Sequence, residues 1–201
     1  EQMGVEQGGY TPEGATSNEK IAVVKEFAEV LLHGGSEEEL KQKYAGLSGE
    51  ENNEMLTDLQ KAKELVGRIM ELNKDLEEKK VLHGGNLDIQ NGRIIATGSI
   101  SMKHGVSSDT ISLVEEIKHN FWAGTEIDIN LPNLKSVGGD LDLGTADNVK
   151  LHPDITIGHD VIFDRMEKNT GNLVRELFDK KQIKGVVRNA TDPQQILLAH
   201  E

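Results

Sequence analysis

The stretch Leu131-Pro132-Asn133-Leu134-Lys135-Ser136-Val137-Gly138-Gly139-Asp140-Leu141-Asp142-Leu143 sets apolar residues at fixed intervals around a glycine pair. A degraded copy follows 20 residues later, ending Gly158-His159-Asp160-Val161-Ile162-Phe163. Leu131 falls on Leu151, Val137 on Ile157, Leu141 on Val161 and Leu143 on Phe163. Upstream, Gly84-Gly85-Asn86-Leu87-Asp88-Ile89 repeats the end of the unit. A period near this length is the mark of stacked turns, none of which can bury its apolar face alone.

Around this centre the composition is that of a lean globular chain. Of 201 residues, 36% are hydrophobic and only 3% aromatic, so the core must be built from Leu, Ile and Val. With 35 acidic residues against 22 basic, the formal charge is −13. Such a surface repels phosphate backbones and anionic membranes, which argues against nucleic acid and membrane partners. No cysteine is present, which removes disulfides and thiolate metal sites. No apolar run approaches the roughly 18 residues that span a bilayer. The chain begins at Glu1 without an initiator Met, as a processed or trimmed chain would; a soluble, cytoplasmic setting is the expectation, with the compartment left open.

Residues 1–17 carry no periodicity and read as a disordered lead-in. A helical region is expected over 18–80. Ile21, Val24, Phe27, Ala28 and Leu31 share one helix face that ends at Gly34-Gly35. Ser36 with Glu39 and Ser48 with Glu51 are capping-box patterns that open two further helices. The longer one carries the seam Met55, Leu59, Ala62, Val66, Ile69, Asn73, Leu76. Its steps of three and four suit either an intramolecular hairpin or a coiled-coil homodimer through residues 55–76, with Asn73 as a register device. From Leu82 the period changes to two, and a repeat-like β region is expected over 82–182. Within it, Asp109 as N-cap with Ile111, Val114, Ile117 and Phe121 on one face predicts an inserted helix over 109–121, ended by Gly124. Leu173 to Lys181 reads as a capping helix, and 183–201 as a tail holding a last strand or a loose end.

The unit at 131–143 resembles bacterial leucine-rich-repeat-like proteins, whose repeat reads roughly Leu-Pro-x-x-Leu-x-Val-Gly-Gly-x-Leu-x-Leu. The likeness covers about 40 residues well and some 20 more weakly. It implies a short parallel solenoid serving as a binding or structural module, with no catalytic residue to carry over. The glycines would form tight corners, either through positive φ or through close backbone approach.

Two constellations could carry chemistry. Asp88, Asp128 and Asp142 each sit between apolar residues, and Asp140 and Asp160 occupy matching repeat positions. Stacked on strands about 4.8 Å apart, such carboxylates repel by roughly 1 kcal/mol in water, which a basic partner or Ca²⁺ would relieve. Solvated aspartates on an open sheet face are the simpler reading. The second is His152, His159, Asp160 and Asp164, a donor set for a divalent metal or an acid–base pair. Strand alternation opposes it, because His159 shares a parity with Val161 and Phe163 while Asp160 and Asp164 face the other way. Trp122 beside Phe121 reads as a core anchor.

The expectation is therefore an α+β protein: an N-terminal helical hairpin or bundle, then a small leucine-rich-repeat-like parallel β region with an inserted helix and a C-terminal capping helix. Function points to a non-enzymatic protein-interaction or structural module with no cofactor or metal. The alternative is a metal-dependent hydrolase using His152, His159 and Asp160. A carbohydrate-binding face is a third reading, weakened by the shortage of aromatic residues.

Overall fold

The computed structural model describes residues 16–102, 106–126, 128–165, 168–192 and 194–199. The chain forms two compact units, Glu1–Arg68 and Ile69–Glu201, and the division falls inside its longest helix. The expected helical region 18–80 follows the change of secondary structure; the contacts divide the chain earlier.

In the first unit lie α1 (Ser17–Leu32), α2 (Glu37–Lys43) and the first part of α3 (Gly49–Glu78). Each start is set by local chemistry. Thr16 accepts from the Glu19 amide while the Glu19 carboxylate takes the Thr16 N–H, and Ser36 with Glu39 repeats the exchange. At α3 the Ser48 N–H and hydroxyl both donate to Glu51. Such caps contribute about 1 kcal/mol each. Phe27, Ala28, Leu40, Tyr44, Met55, Leu59 and Ala62 are the buried apolar residues of this unit, with the Phe27 and Tyr44 ring centroids 5.6 Å apart. Of the seam on α3, Met55, Leu59, Ala62, Ile69 and Leu76 are buried, while Val66 and Asn73 are half-buried. Of the lead-in expected over 1–17, the first fifteen residues lie outside the described part, and Thr16 and Ser17 already belong to the start of α1.

In the second unit come β1 (Leu82–His83), β2 (Leu87–Gln90), β3 (Arg93–Ala96), β4 (Ser99–Ser101), a 3-10 turn (Ser108–Ile111), β5 (Glu116–Ile117), β6 (Phe121–Trp122) and β7 (Asp128–Leu131). They are followed by β8 (Ser136–Val137), β9 (Leu141–Asp142), β10 (Asn148–Leu151), β11 (Thr156–Ile157), β12 (Val161–Phe163), α4 (Lys168–Asp179), β13 (Val187–Asn189) and β14 (Ile196–Leu198). The strands form three sheets, one to each side of a solenoid-like stack: β1-β4-β6-β9-β12-β13-β14, β2-β3-β5-β8-β11, and the pair β7-β10. All pairings between successive turns are parallel; the antiparallel ones are β1–β4, β2–β3 and β13–β14.

Register turns the repeat into a core. Ala96, Ile117, Val137, Ile157 and Ile183 are Cα partners in series. Ile100, Phe121, Leu141, Val161 and Val187 form the same kind of column on the next side. All ten are at most 1% exposed, and each Val, Leu, Ile or Phe among them contributes roughly 1.5–3 kcal/mol of burial. The mixed α+β architecture, with helices first and a parallel β region after, is as expected.

The inserted helix is not. Residues expected to form a helix over 109–121 instead make the 3-10 turn, β5 and β6, a complete turn of the stack. Ile111, Val114, Ile117 and Phe121 are buried as expected, but by pointing inward from three sides of one turn rather than from one helix face. Tertiary stacking on the turns above and below overrides the local helical spacing. Phe121 is fully buried, whereas Trp122 faces outward and keeps part of its surface open, so it is no core anchor.

Glycine acts at the corners in two ways. Gly138 has no positive φ; a Cβ there would strike the Lys118 carbonyl oxygen one turn below, so close backbone approach is what demands glycine. Gly144, at φ +51°, takes the left-handed conformation. After β12 the next β-sized segment is α4, which packs on β10 and anchors through Thr170, whose hydroxyl donates to the Ala146 and Asp147 carbonyls at 2.7 and 3.0 Å. The tail expected to hold a strand or a loose end holds β13 and β14.

Candidate functional site

Two of the residues singled out for chemistry, Asp140 and Asp160, belong to a chain of side-chain-to-backbone hydrogen bonds along one corner of the stack. Ser99 Oγ accepts from the Asn120 N–H at 3.3 Å, Asn120 Oδ1 from Asp140 N–H at 2.9 Å, and Asp140 Oδ1 from Asp160 N–H at 3.1 Å. Asp160 Oδ1 then accepts from Val186 N–H at 3.0 Å, while Arg188 Nε donates to Asp160 Oδ2 at 2.8 Å. Each side chain reaches the backbone one turn further on, where β pairing alone would leave an amide open at the corner. At Val186 the series ends, since valine offers no acceptor to a further turn. Burial pushes the Asp160 carboxyl up, but the Val186 N–H and the Arg188 guanidinium outweigh it and hold the group below its ordinary value.

The five aspartates do not form one acidic column. Asp88 lies on β2, Asp128 on β7 and Asp142 on β9, in three different sheets. Asp88 accepts from its neighbours Ile89 N–H and Gln90 Nε2. Asp142 accepts from Gly144 N–H at 2.9 Å. Its pKa is raised, first by burial and then by the nearby Asp164 and Asp140 carboxylates, against the pull of the Gly144 N–H and Arg188. Only Asp140 and Asp160 stack, and their carboxylates serve backbone amides.

Nor do the histidines meet. His152 Nδ1 accepts from the Asp154 N–H at 3.1 Å and closes a turn before β11. His159 stands exposed beside Asp140, with Nδ1 3.9 Å from Oδ1, while Asp160 is engaged by Val186 and Arg188. Among the described residues no group of three His, Cys, Asp or Glu side chains is placed to hold a metal ion.

A second arrangement, absent from the sequence reading, lies on the outer face of the β7–β10 pair. Asp128 and Asn148 are direct partners in the ladder, as are Asn130 and Lys150. The Asn148 amide donates to Asp128 at 2.7 Å, and Asn130 donates to Asp109 of the 3-10 turn at 3.0 Å. These side chains line a depression of about 360 Å³. Among the described residues, both amides spend a donor internally while their carbonyl oxygens accept no hydrogen bond, and Lys150 makes no ion pair. The face thus offers acceptors and one cation side by side. Asn120 was legible as the residue 20 before Asp140, had the repeat been carried back another turn. Nothing in composition marked Asn130, Asn148 or Lys150, because outward polar residues on a strand are ordinary.

No family model, no curated protein and no solved structure matches this chain.

Proposed function

We propose that this protein is a non-enzymatic interaction or structural module whose working surface is the side of the β stack. The observation that carries the reading is where the polar side chains go. Asn120, Asp140 and Asp160 tie turn to turn, and the ends of the stack are capped by antiparallel strands and by α4. A stack built for rigidity presents a lateral face of fixed spacing, and the Asp128, Asn130, Asn148, Lys150 array is such a face. A relation to bacterial leucine-rich-repeat-like proteins belongs to the same proposal. It is supported by the 20-residue step of the register and by the turn that carries a 3-10 segment beside short strands.

The test has two arms. A binding partner, once in hand, should lose at least about tenfold in affinity, or ~1.4 kcal/mol, with Lys150→Glu and be indifferent to His159→Ala. Melting in excess Zn²⁺, Ca²⁺ or EDTA should leave the midpoint unmoved, since an ion bound only by the folded state raises stability by about 2.7 kcal/mol at a hundredfold excess over its dissociation constant. A Zn²⁺ shift lost in His159→Ala would instead restore the hydrolase reading.

A further inference from the structure

Between β2 and β3 the chain reverses over two residues, Asn91 and Gly92, with Gln90 and Arg93 as the last partners of the ladder. Both have positive φ, 53° and 67°, as a tight hairpin loop whose twist matches its strands requires. Asparagine takes this conformation more readily than most side chains, and glycine takes it freely. The turn therefore selects Asn-Gly, and that pair brings a chemistry of its own. The side-chain amide of an asparagine is an electrophile within reach of the next backbone nitrogen, and a side chain on that next residue crowds the approach. Every other asparagine in this chain is followed by a residue with a side chain; only Asn91 precedes glycine. Asn91 is exposed, and a Cβ added at Gly92 would meet nothing within 4 Å, so water and hydroxide reach this bond.

We propose that Asn91 is a self-modifying site, at which the side-chain amide turns slowly into an acid without an enzyme. The deprotonated Gly92 nitrogen attacks Asn91 Cγ. The new C–N bond closes a succinimide ring, and the side-chain nitrogen takes up a proton and leaves as ammonia. Water then opens the ring at one of its carbonyls. Opening at Cγ gives aspartate with the original backbone. Opening at the Asn91 main-chain carbonyl gives isoaspartate, whose chain runs on through Cγ and is one carbon longer. The attack needs the Gly92 nitrogen to turn toward the Asn91 side chain. Beyond the buried Ile89–Ile94 pair the tip is held in the ladder by Gln90–Arg93 alone, so this rotation is a local opening that leaves the core in place. Both products add a negative charge, but only isoaspartate alters the loop. With the extra carbon, Gln90 and Arg93 no longer close in the geometry of a two-residue turn, and the strain falls on the hairpin that starts the column at Ala96. This inference does not depend on which partner the lateral face binds.

Storage of the folded full chain at neutral and mildly alkaline pH, with peptide mass mapping and separation of the isoaspartyl form, tests it. The expected result is conversion at Asn91 ahead of every other asparagine, faster as pH rises because the deprotonated amide is the nucleophile. The isoaspartyl fraction melts below the parent, whereas Asn91→Asp, which adds the charge without the extra carbon, melts with it. Gly92→Asn keeps a residue that tolerates the left-handed loop while placing a side chain beside the nitrogen, and it slows the conversion. Conversion seen only after unfolding in urea, earlier conversion at another asparagine, a rate unchanged in Gly92→Asn, or an isoaspartyl fraction that melts with the parent would each overturn the proposal.

Discussion

Replacing Gly139 by alanine probes the corner where the turns are tied together. A Cβ at this position would run into Asn120 Oδ1, the atom that accepts the Asp140 N–H. Forcing a methyl into a packed site costs about 1–3 kcal/mol, and losing the Asp140 bond adds about 1 kcal/mol, at the low end because this corner is partly open to water. Gly139→Ala should therefore cost about 2–4 kcal/mol, a fall in midpoint of roughly 5–15 °C for a chain of this size. Asn120→Ala alone removes the acceptor and should cost about 1–2 kcal/mol. In the double variant the obstacle is gone. The next neighbour of the added Cβ is the His119 carbonyl carbon at 3.1 Å, tight but not blocking. The pair should then cost little more than Asn120→Ala, a coupling of about 2–4 kcal/mol in magnitude. Urea titration followed through Trp122, the chain's one tryptophan, reads the β unit directly. Position 159, one turn on, already carries a histidine, so a single variant would not isolate the cause; the cycle does. Additive costs, within about 0.5 kcal/mol, would refute the claim that the Asn120 side chain is what keeps position 139 a glycine.

Further outcomes follow from the same contacts. Asn73→Ala should cost about 1–3 kcal/mol and speed hydrogen exchange at the Leu87 amide, because both backbone groups of Leu87 lose their partner. Asp160 has its folded pKa lowered, so its contribution is present above the unfolded value near 3.9 and disappears as pH falls through the lower folded value. Thermal melts of Asp160→Asn should therefore show a deficit at pH 7 that closes in strong acid. Asp142 is raised, which means its ionised form is disfavoured by folding and the penalty fades as pH falls through that raised value. Asp142→Asn should melt higher than the parent at pH 7 and converge with it near pH 3.

The copies at 131–143 and 151–163 were legible because they share both glycine corners and alternating apolar residues. The turn before them was not, and the reason is geometric. Ile111, Val114, Ile117, Phe121 and Ala123 stand at the same offsets as Leu131, Leu134, Val137, Leu141 and Leu143. Steps of three and four arise in a stack because the chain rounds a corner between inward positions, and they coincide with one face of a helix. With Lys118-His119 in place of the glycine pair, nothing local separated the two readings. Asn73 was noticed as a polar residue in an apolar seam, but its partner is backbone, which no side-chain pattern reveals. The aspartates were legible as a recurring position, while their use as acceptors for the next turn depends on the register of the corner.

That residues 109–121 form a turn of the stack and not a helix is the claim on which the five-residue columns of the core depend. Nuclear Overhauser contacts in isotope-labelled protein measure it directly. Methyl contacts should link Ala96 to Ile117, Ile117 to Val137 and Val137 to Ile157 in series. Sequential amide contacts with Cα(i) to N–H(i+3) connectivities running from Asp109 to Phe121, and no methyl contact from Ile117 to Val137, would contradict it.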